Sequence, residues 1–383
     1  MIGKPLAPTP PMGWNSWNTF YDQINDELIR GTADAMVSEG LLDAGYEYLI
    51  IDDCWSAKSR DENGKLVPDP EKFPSGIKAV ADYVHSKKLK FGIYSCCGVK
   101  TCAGHPGSFE HEFSDAAQFA EWGVDYLKYD NCHRPGTLGT PLLYRRMGMA
   151  LRNSGRDVLL AACQWGTENV HQWIRSSGAH TFRSTVDIQD AWRSIESIAL
   201  SQLEMQCYNG PDCFNDMDML VVGMYGKGVN PETSIGGCSD VEYQTHFALW
   251  AMMNSPLIIG CDIRSMNDKT KEILTNKELI AINQDPECRS CYQLPVYGNS
   301  DVFTLVKPLS GGEYAIGFFN FGDVPFNVSL NFWDMGLSAM GGRAFSLRDL
   351  IAHVDCGVAK ESCAPLVLPH GCKVFRARLV NPA

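Results

Sequence analysis

Tyr126-Leu127-Lys128-Tyr129-Asp130-Asn131-Cys132 carries an apolar strand pattern straight into a carboxylate. The same device recurs along the chain. Tyr48-Leu49-Ile50-Ile51 runs into Asp52-Asp53, Arg183-Ser184-Thr185-Val186 into Asp187, and Leu257-Ile258-Ile259-Gly260-Cys261 into Asp262, while Asp218 opens a further run with Met219 and Leu220. A buried strand holds an unpaired charge only at high cost, so acids in these positions belong in a polar cleft at the strand ends. A parallel β/α barrel supplies such a cleft, because its chemistry gathers at the carboxyl edge of its strands.

Working outward from those runs, the chain alternates short apolar segments with amphipathic ones from Met12 to about Asn283. The apolar segments are Met12 to Trp17, Tyr48 to Ile51, Leu89 to Tyr94, Val124 to Tyr129, Val158 to Cys163, His180 to Asp187, Asp218 to Val222 and Pro256 to Cys261. Between the first two, Asn25 reads as an N-cap, and Asp26 and Glu27 favour the positive helix end. Ile29, Ala33, Met36, Val37 and Leu41 then recur at helical spacing, with Gly45 as the stop. Ala191 to Met205 reads as another helix, with Trp192, Ile195, Ile198 and Leu203 inward. Eight such alternations with right-handed crossovers close into a (β/α)8 TIM barrel, assigned to residues 1–284.

Beyond Asn283 the pattern changes to strands: Val302 to Lys307, Glu313 to Asn320, Pro325 to Phe332, Ala344 to Leu350 and Cys372 to Val380. Turns such as Ser310-Gly311-Gly312 separate them, and no long helix intervenes. Residues 285–383 are therefore expected to form a C-terminal antiparallel β-sandwich domain. No low-complexity linker separates the two parts, which predicts a rigid joint.

The 383 residues suit one large domain and a smaller one. A formal charge of −12, with no cluster of Lys and Arg, argues against a nucleic-acid partner. No apolar run is long enough to cross a bilayer, so no membrane association is expected. The segment Met1-Ile2-Gly3-Lys4-Pro5 has no apolar core of a secretory signal, so the expected location is cytoplasmic, or secreted if a signal has been removed. An oligomer is compatible with everything read here. Fifteen cysteines cannot all pair within one chain. Cys96-Cys97 and Cys288-Arg289-Ser290-Cys291 lack a second ligand pair at zinc spacing, so most cysteines are read as small buried hydrophobes and no metal site is assigned.

Two carboxylates facing a cleft among aromatic neighbours fit glycoside hydrolysis, one attacking or activating water and the other protonating the leaving oxygen. Trp14, Trp17, Tyr94, Tyr129 and Trp165 would offer flat faces to a sugar ring, although Trp14 and Trp55 serve equally as core. Asp216 and Asp262 lean towards structural roles. A barrel metallohydrolase would need imidazoles close together, and the nine His residues include no His-x-His pair.

Pro11-Met12-Gly13-Trp14-Asn15-Ser16-Trp17, Asp52-Asp53-Cys54-Trp55, Lys100-Thr101-Cys102-Ala103-Gly104 and Lys128-Tyr129-Asp130-Asn131-Cys132 resemble glycoside hydrolase family 27. Asn215-Asp216-Met217-Asp218-Met219-Leu220 and Ala281-Ile282-Asn283-Gln284-Asp285-Pro286 extend the resemblance in the same order. It implies a retaining double displacement on a terminal α-linked sugar, with no cofactor. Asp130 matches the nucleophile and Asp187 the acid/base. Asp52 and Asp53 match the pair that holds the O6 and O4 side of galactose. Trp17, Tyr94, Lys128, Arg183 and Asp218 match other pocket positions. Asp130 is expected to be ionised beside Lys128 and Arg183, and Asp187 to be protonated in the resting enzyme, with a raised pKa.

The loop after the fifth strand, Cys163-Gln164-Trp165-Gly166, matches the reader of the sugar's position-2 group. The bulk of Trp165 favours galactose over N-acetylgalactosamine, and Asp52-Asp53 favours a sugar with a hydroxymethyl group over β-L-arabinopyranose. The expected partner is a small substrate or glycan ending in α-galactose. The alternatives are an α-N-acetylgalactosaminidase, a β-L-arabinopyranosidase, or an inert carbohydrate-binding protein on the same scaffold. Cys102 and Cys132 match one disulfide of secreted relatives; whether it closes is left to the structure. Cys54 and Cys163 keep one half each of two other pairs, a pattern that suits a reducing compartment.

Overall fold

A computed structural model describes residues 5–294, 296, 298–338 and 341–381. Eight parallel strands form its first sheet: β1 (Met12–Asn15), β2 (Tyr48–Ile50), β3 (Lys90–Cys96), β4 (Tyr126–Asp130), β5 (Leu159–Cys163), β6 (Thr181–Arg183), β7 (Phe214–Asp216) and β8 (Leu257–Ile259). They lie in the order β7-β6-β5-β4-β3-β2-β1-β8. Leu220 closes the gap between the two ends, since its amide donates to the Ile258 carbonyl at 2.7 Å and its own carbonyl accepts from Gly260 at 2.9 Å. The result is a β/α barrel.

The expected strand from Asp218 to Val222 is not one. β7 lies earlier, at Phe214–Asp216, and Asp218 takes a left-handed φ of 81°, which breaks the extended run. Only the bridge between Leu220 and Ile259 survives from that expectation. The other strands fall within or overlap their apolar runs. β6 stops at Arg183, which leaves Asp187 on the loop beyond.

After a short helix at Trp17–Phe20, the helix read from Asn25 onward spans Asp26–Ser38, and the Asn25 side chain accepts from the Leu28 amide. It ends before Gly45, because Gly40 turns left-handed at φ 78° and starts a second short helix, Leu41–Ala44. Gly13 is needed for a different reason. A Cβ there would sit 2.4 Å from the Tyr48 carbonyl oxygen, so β1 can approach β2 only without a side chain.

The second domain is built on a six-stranded antiparallel sheet ordered 354–359, 344–349, 372–380, 314–320, 302–308, 292–294. Two short ladders, Phe326–Asn327 with Leu366–Val367 and Leu330–Asn331 with Ser362–Cys363, cover one face. Val302, Val306, Ile316, Phe318 and Phe375 pack there with Val328, Leu330 and Phe332. The alternate residues Phe303, Leu305, Ala315, Phe319 and Val374 point the other way and join the barrel's core. The domain is thus a sandwich whose larger sheet has two buried faces.

Strand Val354–Ala359 escapes the sequence reading because five of its six residues are exposed, so it lacks an apolar face. Helix Asp240–Met252 is wedged between barrel and sheet and is buried throughout from Tyr243 to Met252. A capping box of Ser239 and Glu242 starts it. Among the described residues no helix is long and apolar enough to cross a membrane.

Candidate active site

β4 shows how the barrel aims its chemistry. Successive side chains on a strand face opposite ways, so Lys128 and Asp130 point to the axis while Leu127 and Tyr129 pack outward. Tyr129 is therefore core, at 5.4 Å and edge-on to Tyr144. Trp14 is also core, with its indole nitrogen donating to the Cys261 carbonyl at 2.8 Å. Trp55 likewise donates to the Tyr94 carbonyl at 2.9 Å and packs on Trp122. Trp17, Tyr94 and Trp165 do reach the central cavity.

That cavity lies at the carboxyl ends of the strands and encloses about 260 Å3. It is smaller than the roughly 300–1,000 Å3 of sites for drug-sized ligands, which suits one sugar ring rather than a chain. Asp52, Lys128, Asp130, Cys163, Arg183, Asp187 and Asp218 complete the expected lining.

Asp130 is almost fully buried at the cavity floor. Its Oδ2 accepts from the Tyr94 hydroxyl at 2.8 Å, and its Oδ1 from the Asn131 amide at 2.7 Å. Burial pushes its pKa up to about 6, against the pull of Lys128, the Asn131 amide and Tyr94. Lys128 donates to Asp52 Oδ2 at 2.7 Å. Burial pulls the ammonium pKa down, but Asp52 and further negative neighbours outweigh it, and the net shift is upward. Asn15 shares the same Asp52 oxygen at 2.7 Å, while the Asp53 amide takes the other at 2.9 Å.

On the opposite wall, Arg183 is the hub. It donates to Asp187 Oδ1 at 2.5 Å and pairs with Asp218 Oδ1 at 3.0 Å. Asp218 Oδ2 accepts from the Ile188 amide at 2.7 Å. Burial raises the Asp218 carboxyl despite that guanidinium. Asp216 lies beneath, pushed up to about 6 by burial and by Asp218. Asp187 behaves oppositely. Burial works to raise its pKa, but the charge and hydrogen bond of Arg183 prevail and hold it below the ordinary carboxylate range. Asp187 is therefore ionised, contrary to the sequence expectation, because a guanidinium in contact outweighs burial. Its side chain also stays 54% exposed, so it stands at the solvent rim while Asp130 sits at the floor.

Two expected residues do not line this cavity. Asp53 is buried, and its oxygens accept from the amides of Cys54 at 2.7 Å and Ala103 at 2.9 Å. Gln164 is fully buried, with its amide nitrogen 2.6 Å from Thr167 Oγ1 and 3.4 Å from Thr140 Oγ1. That leaves Trp165, with φ 65°, and Cys163 as the parts of this loop that reach the cavity. Asp262 pairs with Arg264 at 2.8 Å, away from the cavity.

The lining also includes Asn18, Cys102, Met219, Glu232 and Thr233. Met219 sits inside a quoted motif and Asn18 directly follows one. Glu232 and Thr233 lie in a stretch between Leu220 and Ser239 with neither periodicity nor a motif, so no signal marked them. Cys102 and Cys132 form a disulfide beside Asp130. Thirteen other cysteines are free, Cys54 and Cys163 among the buried ones.

Two clusters have metal-ligand composition among the described residues. In Cys102-Asp130-Cys132 the sulfurs are spent on the disulfide. In Asp53-Cys54-His105, Asp53 is engaged by backbone amides, and His105 Nε2 lies 2.9 Å from the Lys58 ammonium. Neither donor set is free for a cation.

Comparison with known proteins agrees with this geometry. Residues 9–285 match the family model described as alpha galactosidase A, and residues 299–377 match that of the alpha galactosidase C-terminal beta sandwich domain. The alpha-galactosidase of Cyamopsis tetragonoloba is 43% identical over 97% of this chain and 86% of its own. Alpha-galactosidase I of Mortierella vinacea superposes with a TM-score of 0.88 at 33% identity, covering 97% of both chains. The Saccharomyces cerevisiae α-galactosidase solved with raffinose gives 0.86 at 30% identity, covering 98% of both. With a buried acid at the floor of a sugar-sized cavity, a second at its rim, and matches running nearly end to end, the chain belongs to the α-galactosidase family of glycoside hydrolases, family 27.

Proposed function

We propose that this protein is an exo-acting, retaining α-galactosidase, with Asp130 as nucleophile and Asp187 as acid/base. The observation that carries the reading is the placement of the two carboxylates in one closed-ended cavity, one 6% exposed and the other with a 54% exposed side chain. A terminal galactose fits inward, and its leaving group exits past Asp187. Asp130 attacks the anomeric carbon and forms a β-galactosyl ester while Asp187 gives a proton to the departing oxygen. Asp187 then takes a proton from the water that releases α-galactose.

Asp52, tied to Lys128 and Asn15, is assigned to the hydroxyls of the sugar, with Asp53 holding the loop behind it. The bulky Trp165 in the cavity wall supports galactose over N-acetylgalactosamine. Melibiose- and raffinose-type sugars are the expected substrates. Residues 1–284 are taken as the catalytic barrel and 285–383 as the β domain.

Proton NMR of the first-formed product decides the stereochemistry: α-galactose supports the assignment, and β-galactose refutes it. Asp130→Asn is expected to lose nearly all turnover while still binding galactose. Rates on matched nitrophenyl glycosides rank galactose against the acetamido sugar and β-L-arabinopyranose, and preference for either of the latter overturns the specificity.

A further inference from the structure

Glu232 lines the cavity, is exposed, and lies in the loop between β7 and helix Asp240–Met252. Among the described residues nothing donates a hydrogen bond to its carboxylate or forms an ion pair with it. Its backbone is fixed nonetheless: the amide donates to Asn230 Oδ1 at 3.0 Å, and the carbonyl accepts from Gln189 Nε2 at 3.2 Å.

The loop around it is pinned on two sides. Towards β1, the Val229 amide donates to the Thr19 carbonyl at 2.8 Å, and the Thr233 hydroxyl to the Asn18 carbonyl at 2.8 Å. Towards the acid/base loop, Asp190 gathers the other contacts. Its amide donates to the Thr233 carbonyl at 2.8 Å, and its carboxylate accepts from the Gly226 amide and the Tyr243 hydroxyl, each at 2.7 Å. Asp190 stands three residues after Asp187, so the loop carrying Glu232 is bonded to the loop that carries the acid/base.

A rim fixed by these bonds that presents an unengaged, exposed carboxylate in the same cavity as the proton donor is a binding group for what leaves, not for the sugar that stays. We propose that Glu232 is the aglycone-reading residue, accepting hydrogen bonds from hydroxyls of the unit next to the scissile bond and repelling anionic aglycones. The inference rests on the α-galactosidase reading and names its substrate class: α-galactosides of neutral, hydroxyl-rich carbohydrate.

The test is a ratio measured on purified full-length protein. A hydroxyl bonded to a carboxylate loses its partner in Glu232→Ala, so kcat/KM for melibiose relative to 4-nitrophenyl α-galactoside is expected to fall roughly tenfold. Glu232→Gln keeps an acceptor and is expected to fall less, while kcat/KM for 4-carboxyphenyl α-galactoside relative to the nitrophenyl compound rises. A ratio within twofold of wild type in both variants overturns the proposal. Wild-type protein inert on 4-nitrophenyl α-galactoside would instead overturn the α-galactosidase reading itself.

Discussion

Arg183 touches both Asp187 and Asp218, and this fixes where protons reside before substrate arrives. Asp187 is held low by the guanidinium, and Asp130 is pushed up to about 6 by burial. The proposed displacement needs the reverse, with Asp130 bare and Asp187 protonated. The pair nevertheless holds one proton throughout the window between the two pKa values, and the split of that proton between the two acids does not change with pH. A fixed share of the singly protonated enzyme is thus the productive form. The kcat/KM profile is expected to be a bell peaking in mild acid, with its basic limb near pH 6 and its acidic limb below the ordinary carboxylate range. A plateau extending past pH 8 would refute this. Lys128 lowers the Asp130 pKa, so Lys128→Met is expected to move the basic limb to higher pH, with kcat/KM reduced because Asp52 loses its cation. An unmoved basic limb would show that Lys128 does not act on Asp130. At this scale the sequence marked Asp52, Asp130 and Asp187, since each ends an apolar run, although Asp262 ends one too and lies away from the cavity. It did not show their protonation, since that depends on burial at Asp130 and on the contact with Arg183 at Asp187.

The elements that carry the site are strand ends and the loops after them, and these differ in how far they were legible. Strands such as β5 and β8 are continuous apolar runs, and the helix at Asp26–Ser38 shows cap, charge and period together. The loop with Glu232 and the exposed edge strand Val354–Ala359 have no period to read. Loop 98–107 is a further case, since its position depends on a covalent tie. Cys102 joins Cys132 across 30 residues, and the neighbouring Ala103 amide holds Asp53 at 2.9 Å. Opening that ring frees the denatured chain by about 3–4 kcal/mol on the loop-entropy account. A Cys102→Ser/Cys132→Ser double variant is therefore expected to melt at lower temperature. Its kcat/KM is also expected to fall, since Cys102 is part of the cavity wall. Denaturant titration alongside kinetics checks both effects, and a variant matching wild type in both would show the tie to be idle.

Across the whole molecule, residues of the barrel and of the β domain pack in one hydrophobic core. Trp192 of the barrel meets Phe321 at 5.1 Å and stacks on His370 at 4.6 Å, and Asn276 donates to the Leu350 carbonyl at 2.9 Å. The least legible part of this joint is Lys307. A lysine at the end of an alternating strand reads as solvent-facing, yet it shares the face of Phe303 and Leu305 that packs on the barrel. Its ammonium is fully buried and donates to Asn254 Oδ1 at 2.6 Å and to the Ile282 carbonyl, both in the barrel. Burial pushes its pKa down to about 8 from an ordinary 10.5. The unfolded chain therefore holds this proton more tightly than the folded one. Folding carries the full cost of charging Lys307 below about pH 8, and is relieved of it as pH rises towards 10.5. That lowering corresponds to about 3 kcal/mol. Lys307→Met lacks this titration whatever its baseline stability. The unfolding free energy of wild type minus that of the variant is accordingly expected to grow, by up to about 3 kcal/mol, between pH 8 and 10.5. Urea unfolding of both proteins across that range measures the difference. Parallel stability curves would mean that Lys307 keeps its solution pKa and that the joint does not bury a charge.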